Sequence, residues 1–418
     1  MNNSGFRYYA RVFNPSSPMA SQELLVGRDE ERFVLAKAIE RQGQHAVVFG
    51  DRGIGKTSLS DVVTNQCGQT IIKLQCGADW SFLDFSYQFL KSLGKSPDIL
   101  EEETSNESSI SPKFDVKIVS LGGDKKESSK VKYKGLHGTT WNASSLIQEL
   151  RGYEEPSVIV LDEYDLINSS GDEFHREISH FIKGISNDPA GLPFTFIIIG
   201  IASSAANLLA GHKSSGRNLQ EIFLKWIPRE GIGQFLRASE KILNIKFSND
   251  VFRRLVNSSY GLPYQVHLLC ECICDSIVIE NPDVLASGNI VHIDARSYVN
   301  GIRRAVETKY QDMKEKYAAN LNKIGSQGKQ VVKFSSLFSD EGIRDVESLS
   351  KVLVGGGYLS EGTFMKGLDQ LNKANLPYKF GAKYLKISDP LFLSFSRKYY
   401  WGDAAPEVAS IQQGNLDF

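Results

Sequence analysis

The chain has 418 residues, of which 41% are hydrophobic and 23% are charged, and its formal net charge is −1. This length predicts two or three domains, and the composition is typical of a soluble globular protein. A net charge near zero excludes a global electrostatic field directed at nucleic acid or a membrane. No apolar run approaches the roughly 20 residues of a membrane span. Because the first 18 residues also lack the order of a signal peptide, we expect a cytoplasmic protein with no membrane partner.

The first informative pattern along the chain is a strand, a glycine-rich loop and a helix. Residues 1–22 contain two prolines and are predicted to form an arm that extends over the surface. After a predicted helix over 30–41, the apolar run 45–49 has the character of a short strand. The sequence GDRGIGKT then fits G-x-x-x-x-G-K-[ST] without mismatch, and a helical pattern follows it.

This loop predicts a phosphate-binding site. Glycines allow backbone N–H groups to turn inward around phosphate oxygens, and the N-terminus of the following helix adds its positive end. We expect the side chain of Lys56 to reach the β- and γ-phosphates of a nucleotide and the hydroxyl of Thr57 to bind Mg²⁺. The predicted nucleotide-binding residues of the loop are Gly50, Asp51, Arg52, Gly53, Ile54, Gly55, Lys56, Thr57 and Ser58.

A second acidic element follows a long interval. After a predicted strand over 70–74 and a helix over 80–93, the chain carries an excess of residues at about 100–141. Alternating segments at 114–120 and 130–133 surround a glycine-containing loop there and predict an inserted β-hairpin. Two interpretations stay open: the lysines of the hairpin grip DNA or a protein partner, or the segment is a tolerated surface insertion.

The acidic pair Asp162 and Glu163 follows four consecutive apolar residues. Such a run suits a strand buried on both faces of a parallel sheet, and ligands bind at the carboxyl ends of these strands. We expect Asp162 to contribute to the Mg²⁺ shell. Glu163 is expected to orient or deprotonate the attacking water, which predicts a hydrolase rather than a protein that only binds nucleotide.

Two further strands, over 194–199 and 220–224, bring the total to five, which alternate with helices. This alternation predicts an α/β core over 23–228 with a parallel sheet covered on both faces. A helical pattern runs over about 230–278 and continues over 294–320, and residues 229–320 are interpreted as a lid with linker helices, in which Pro263 opens a helix. We interpret Cys270, Cys272 and Cys274 in that helix as buried thiols rather than metal ligands.

Residues 321–402 have the pattern of a separate winged-helix domain. Three predicted helices are followed by two short strands over 377–387, and the segment carries 12 Lys and Arg against 7 Asp and Glu. In the third helix Lys366, Gln370 and Lys373 are expected to face outward, as in a helix that reads DNA. A winged helix that contacts protein is the alternative. Residues 403–418 are expected to form a disordered tail.

The combination of these features resembles the AAA+/STAND ATPases related to origin-recognition proteins and bacterial regulatory ATPases. The resemblance covers about 13–277. Gly27-Arg28 precedes the phosphate loop in the same order, and the more specific signs are the strand end Gly200–Ser203, the segment 214–219 and Gly261-Leu-Pro-Tyr264. It implies an AAA+-like P-loop core with a helical lid and a C-terminal winged helix, ATP and Mg²⁺ as ligands, and a homo-oligomer.

The resemblance also implies roles for residues outside the two central motifs. Val26, Gly27 and Arg28 would lie near adenine and ribose, and Pro263 would pack near adenine. Ser203 would be the polar sensor of the γ-phosphate or the water, with Ser204 as the alternative.

An arginine finger is implied as well. Arg217 would reach the γ-phosphate bound by a neighbouring subunit, and Arg229 is the alternative. The arginine that many members of the group carry in the lid helix is absent, and Gln265 and His267 lie near its place.

Two functions are consistent with these features. The first is an ATP-driven switch that controls a protein partner through conformational change or oligomerisation. The alternative is a DNA-binding initiator or helicase loader, which would grip duplex DNA with its winged helix. A nucleotide-stabilised scaffold without turnover is disfavoured by the intact Glu163.

Overall fold

The structure is a computed structural model that describes residues 9–18, 22–95, 99–103, 130–133, 141–167, 171–189, 191–202, 205, 218–286, 288–341, 343, 345–374, 376–380, 385–387, 389 and 391–402. The chain forms two compact units. One unit is Arg28–Lys225, and the other combines Met1–Gly27 with Trp226–Phe418. Among the described residues, no helix has the length and apolar character needed to cross a membrane.

The unit Arg28–Lys225 is built on a parallel sheet. Its strands are β1 (His45–Gly50), β2 (Thr70–Gln75), β3 (Ile99–Glu103), β4 (Lys130–Tyr133), β5 (Ser157–Asp162), β6 (Phe194–Gly200) and β7 (Leu219–Leu224). Five of them form one sheet in the order β2-β5-β6-β1-β7, and every neighbouring pair is parallel. The predicted α/β fold with a parallel sheet is therefore confirmed, including all five predicted strands.

Helices cover this sheet on both faces. They are α1 (Asp29–Glu40), α2 (Lys56–Thr64), α3 (Phe82–Ser92), α4 (Ala143–Leu150) and α5 (Gly171–Asn187). Alternate residues of the central strands, such as Ile159 and Leu161, join an aromatic-rich core with α3, α4 and α5. The intervening Val158 and Val160 are equally buried, on the face where α1 and α2 contact the sheet. Burial on both faces explains why β5 and β6 are apolar without alternation.

The predicted insertion contains a pair of antiparallel strands. The strand predicted over 130–133 is present as β4, and its partner is β3, with Glu101 opposite Lys132. Residues 114–120, which were predicted to pair with it, lie outside the described residues. The pairing therefore joins the two ends of the insertion.

The other unit is mainly helical. Its helices are α6 (Arg229–Leu243), α7 (Asn249–Ser258), α8 (Pro263–Glu280), α9 (Ala295–Lys323), α10 (Ser326–Ser335), α11 (Val346–Ser350), α12 (Glu361–Lys373) and α13 (Leu391–Trp401). Its strands are β8 (Ile245–Phe247), β9 (Val291–Ile293), β10 (Tyr378–Phe380) and β11 (Leu385–Ile387). The strands β8 and β9 pair in parallel, and β10 and β11 pair antiparallel. A π-helical turn over Lys351–Gly355 follows α11.

Contrary to the prediction of a surface arm over 1–22, its described segment 9–13 packs into the core. Tyr9 and Phe13 are fully buried in the core of this unit. The Tyr9 hydroxyl donates to Asp275 Oδ1 at 2.5 Å, and the ring of Phe13 meets that of Phe235 edge to face. The Asn14 N–H donates to Nδ1 of the buried His267. Aromatic burial and these bonds outweigh the extended tendency of the prolines that follow.

Residues 321–402 contain the predicted order of three helices and two strands, in α10, α11, α12, β10 and β11. The terminal helix α13 was not predicted. Its aromatic face packs on α9, where the ring of Phe392 meets Tyr317 edge to face. The interpretation as a winged helix stays a prediction.

Candidate functional site

The glycine-rich loop connects β1 to α2, and its three glycines, Gly50, Gly53 and Gly55, all have a positive φ. Gly55 precedes α2 with a φ of 93° in the left-handed region. Gly50 has a φ of 148°, and a Cβ at this position would lie 2.7 Å from the carbonyl oxygen of Leu224. Any side chain at Gly50 would therefore push the loop away from β7. The conformation fits a loop whose N–H groups cradle phosphate.

Lys56 lies folded over this loop. Its Nζ donates to the carbonyl oxygens of Gly50 at 3.1 Å and Asp51 at 2.8 Å. Burial lowers the pKa of Lys56, and the nearby carboxylates of Asp165 and Asp162 oppose that shift. The ammonium group thus lies beside the loop and close to the acidic residues that follow β5, which is the placement that phosphate binding requires.

Thr57 and Asp162 form the candidate Mg²⁺ site. Thr57 Oγ1 donates to Asp162 Oδ2 at 2.9 Å, so the first turn of α2 meets the end of β5. Burial raises the pKa of Asp162, and the bond from Thr57 opposes the shift. Hydroxyl and carboxylate oxygens are suitable Mg²⁺ donors, and Mg²⁺ usually combines one or two protein ligands with substrate phosphates. The donor set therefore fits the predicted ion.

A metal site built from protein side chains alone is not found in the described part of the chain, where no three His, Cys, Asp or Glu residues form a metal-ligand cluster. Cys270, Cys272 and Cys274 are instead buried free thiols within α8. Burial raises the pKa of each of these thiols, which disfavours the thiolate form that binds metals.

Glu163 is held in an unusual backbone conformation next to the candidate metal site. Its φ is 56° and its ψ is 34°, a left-handed conformation that is uncommon for residues other than glycine. Its N–H donates to Asp162 Oδ1 at 2.8 Å. Its carboxylate Oε2 accepts a bond from Gln75 Nε2 at 2.7 Å. Asp162 and Glu163 thus point toward different partners, one toward Thr57 and the other toward the edge strand.

Gln75 was missed by the sequence analysis. It is the last residue of β2 and lies in register with Asp162, because β2 and β5 are neighbours in the sheet. The sequence alone gives no signal for it, since the partner strand of β2 is known only from the strand order.

Arg28 braces the phosphate loop. The residue is only 2% exposed. Its Nη1 donates to Glu31 Oε1 at 3.1 Å. Its Nη2 donates to the carbonyl oxygens of Ile54 at 3.2 Å and Lys225 at 2.7 Å. The buried charge is therefore paired and bonded to oxygens on three sides, and burial lowers its pKa. Its predicted place near adenine and ribose stays a prediction.

The remaining predicted site residues fall into two groups. Ser203, Ser204 and Arg217 lie outside the described residues, so their predicted roles as sensor and finger stay predictions. Val26, Gly27, Arg229 and Pro263 belong to the unit that contains α6 to α13, and their roles also stay predictions.

In that unit the sequence Gly261-Leu-Pro263 forms the turn into α8. Gly261 has a φ of 79°, and a Cβ there would lie 2.4 Å from the carbonyl oxygen of Ile227. The Ile227 N–H also donates to the Gly261 carbonyl at 2.8 Å. The glycine of this motif is therefore required by close backbone packing.

The helix predicted to read DNA is α12, and one of its predicted outward residues is engaged. Gln370 is half-buried; its Oε1 accepts the Gly328 N–H at 2.8 Å, and its Nε2 donates to Gln327 Oε1 at 2.9 Å. The prediction that Gln370 faces outward is wrong, because the small Gly328 and Gly367 let α10 and α12 approach closely enough to bond it. Lys366 and Lys373 are exposed as predicted.

Comparison with protein-family models gives no match, and no curated protein matches the chain. Solved structures with a similar course of the chain include a Walker-type ATPase of Pyrococcus abyssi, with 14% identity, a TM-score of 0.49 and coverage of 91% of this chain and 99% of that one. The Orc1 protein of Aeropyrum pernix, solved in complex with DNA, has 13% identity, a TM-score of 0.46 and coverage of 92% and 95%. The RuvB branch migration motor of Thermotoga maritima has 12% identity, a TM-score of 0.40 and coverage of 88% and 94%. Because all three TM-scores lie below 0.5, the chemistry of the site rests on its own geometry.

Proposed function

We propose that this protein binds and hydrolyses ATP with Mg²⁺ and acts as a switch that controls a partner. The observation that supports the proposal best is that three groups meet at the carboxyl ends of the sheet strands. The loop carrying Lys56, the hydroxyl of Thr57 bound to Asp162, and the carboxylate of Glu163 all lie where β1 and β5 end. This is the arrangement that phosphoryl transfer to water requires.

The proposed division of work follows from the chemistry of each group. The loop N–H groups and the Lys56 ammonium bind the phosphate oxygens and stabilise the negative charge that develops on them. Thr57 and Asp162 hold Mg²⁺, which neutralises phosphate charge when bound. Glu163 orients a water molecule and accepts its proton, a contribution of about 10²–10⁴ in rate for a positioned general base.

Gln75 supports the idea of a switch rather than a constantly active hydrolase. One oxygen of the Glu163 carboxylate, the proposed proton acceptor, is bonded to Gln75 Nε2 in this structure. This bond turns the carboxylate of Glu163 toward the edge strand β2. Turnover would therefore depend on release of this bond.

We expect Gln75→Ala to raise the basal ATP turnover about fivefold, because losing one hydrogen bond of about 1 kcal/mol frees the carboxylate of Glu163. ATP affinity should stay unchanged, since Gln75 lies on β2 and away from the loop sequence. Steady-state turnover and ATP titration of both proteins check this. Lower turnover at unchanged affinity would instead mean that Gln75 holds Glu163 in its productive orientation.

The finer parts of the proposal rest on the sequence resemblance. We propose a homo-oligomer in which Arg217, or Arg229, of one subunit reaches the γ-phosphate bound by its neighbour, with Ser203 as the sensor. A protein partner is the proposed recipient of the switch. The DNA-binding alternative draws support from the charge excess of 321–402. In α12, however, the exposed Lys366 and Lys373 are offset by Glu361 and Asp369.

The experiment that tests the function is ATP turnover by the purified chain over a concentration series, with and without duplex DNA at several salt concentrations. Turnover per subunit that rises with protein concentration would support a residue acting between subunits. Stimulation by DNA that declines steeply with salt would favour the DNA-binding alternative. Absence of turnover at every concentration, with ATP bound, would contradict the hydrolase and leave a nucleotide-binding scaffold.

A further inference from the structure

The turn that follows Glu163 is hydrogen-bonded to helix α5 and to the residue after the neighbouring strand β6. Residues Tyr164–Leu166 form a single 3₁₀ turn. The ring of Tyr164 is fully buried, and its hydroxyl lies 2.9 Å from Nδ1 of His175 on α5. The next residue, Asp165, accepts the N–H of Ile201 on its Oδ1 at 2.7 Å. Ile201 directly follows β6, so this short turn is connected to a helix on one side and to the neighbouring strand on the other.

These anchors act on the backbone of Glu163. The left-handed conformation of Glu163 is one that residues with a side chain rarely adopt, and it persists only where the surroundings impose it. The Leu166 N–H donates to the Glu163 carbonyl at 3.0 Å, which closes the turn from its far end. The bonds made by Tyr164 and Asp165 therefore fix the direction in which the Glu163 side chain leaves the backbone.

Asp165 also lies within electrostatic range of Lys56, which follows the last glycine of the phosphate loop. Among the charged groups that oppose the lowering of the Lys56 pKa by burial, Asp165 has the largest influence, ahead of Asp162. Its carboxylate thus lies close to Lys56 while it bonds the end of β6. No role in nucleotide chemistry was predicted for Asp165, because its partner Ile201 is 36 residues away in the chain.

We propose that Asp165 is a positioning residue that, through its bond to the Ile201 N–H, holds the turn that orients Glu163 toward the water that attacks ATP. The inference rests on the proposed ATPase function. A shift of Ile201 at the end of β6 would move the backbone of Glu163 through this one hydrogen bond. The position of that strand end therefore affects the rate of catalysis. Asp165 itself touches neither water nor phosphate in this role.

Two substitutions separate the hydrogen bond from the charge. Asp165→Asn keeps an Oδ1 acceptor for the Ile201 N–H and removes the charge near Lys56. Asp165→Ala removes both. We expect Asp165→Ala to lower kcat about tenfold or more with an ATP Kd close to that of the wild type, because misplaced catalytic groups are costly, whereas Asp165→Asn should keep kcat within about threefold. Asp188→Asn is the matched control. Asp188 belongs to the same unit, and its carboxylate pairs with Arg151.

Hydrogen exchange of the peptide that contains Ile201 gives a readout independent of turnover. Its amide should lose protection in Asp165→Ala and keep it in Asp165→Asn. An equal loss of kcat in both variants, with exchange of Ile201 unchanged in Asp165→Asn, would overturn the proposal. It would show that Asp165 acts through its negative charge near Lys56. A raised ATP Kd with unchanged kcat in Asp165→Ala would overturn the proposal as well. A wild type without turnover would reject the ATPase function alone, and the exchange result would still decide whether Asp165 holds Ile201.

Discussion

Replacement of Glu163 by Gln is expected to lower ATP turnover roughly 100-fold or more, while ATP binding stays within about threefold of the wild type. Glutamine matches glutamate in shape and retains an oxygen that accepts the Gln75 bond, so the turn and the sheet edge should be undisturbed. What it loses is the capacity to take a proton from the attacking water. The variant should therefore accumulate bound ATP rather than ADP.

The measurement is a single-turnover assay with separation of bound ATP and ADP, alongside an equilibrium titration with ATP. Glu154→Gln is a suitable control, since this exposed glutamate precedes β5 in the same unit and has no place in the proposed chemistry. Turnover near the wild-type rate in Glu163→Gln would remove Glu163 from the mechanism. Loss of ATP binding in that variant would indicate that the residue is needed for the structure of the loop.

The fold of the unit Arg28–Lys225 was accessible from sequence because its strands carry a strong local signal. A strand buried on both faces, such as β5 or β6, must be apolar at every position, and such runs are rarely anything else when polar turns bound them. The loop residues from Gly50 to Thr57 are likewise local, since their function depends on a contiguous backbone path. Lys56, Thr57, Asp162 and Glu163 were therefore named before any strand order was known.

The contacts that tune the site were not accessible in this way. Gln75 approaches Glu163 only because β2 lies beside β5, and Asp165 reaches Ile201 only because β6 lies on the other side of β5. Each bond joins residues distant in the chain, and a polar residue after a strand has no distinctive sequence pattern. Arg28 is similar, because its buried partners are carbonyl oxygens, which every residue possesses.

The errors in the helical unit have a related origin. The prolines that follow Tyr9 and Phe13 favour a surface arm, whereas two aromatic residues four positions apart also suit a buried turn. Gln370 was placed outward by helical spacing alone, which does not register that glycines on α10 and α12 allow a close approach. In both cases tertiary packing prevailed over a local tendency.

The second large effect is expected for Lys56→Met, which should weaken ATP binding about 10- to 100-fold, since a hydrogen bond to a charged group contributes about 1.5–3 kcal/mol. Methionine retains much of the unbranched stem, so the loss reports the ammonium group. Among the described residues, the bonds of Lys56 Nζ go to the carbonyl oxygens of Gly50 and Asp51, and the carboxylates of Asp165 and Asp162 favour its charged form without an ion-pair contact. Its removal leaves those carboxylates with less compensating positive charge.

That imbalance gives the prediction a second observable. Without the ammonium group, the carboxylates around the loop repel an incoming triphosphate more strongly, so binding should recover partly at higher Mg²⁺, where the nucleotide arrives with more of its charge neutralised. Calorimetric titration of ATP at several Mg²⁺ concentrations measures this. Lys73→Met is the matched control, because Lys73 lies in the same unit and its Nζ is paired with Asp61 at 2.6 Å. Equal losses in the two variants would show that general charge, rather than the placement of Lys56 over the loop, governs binding.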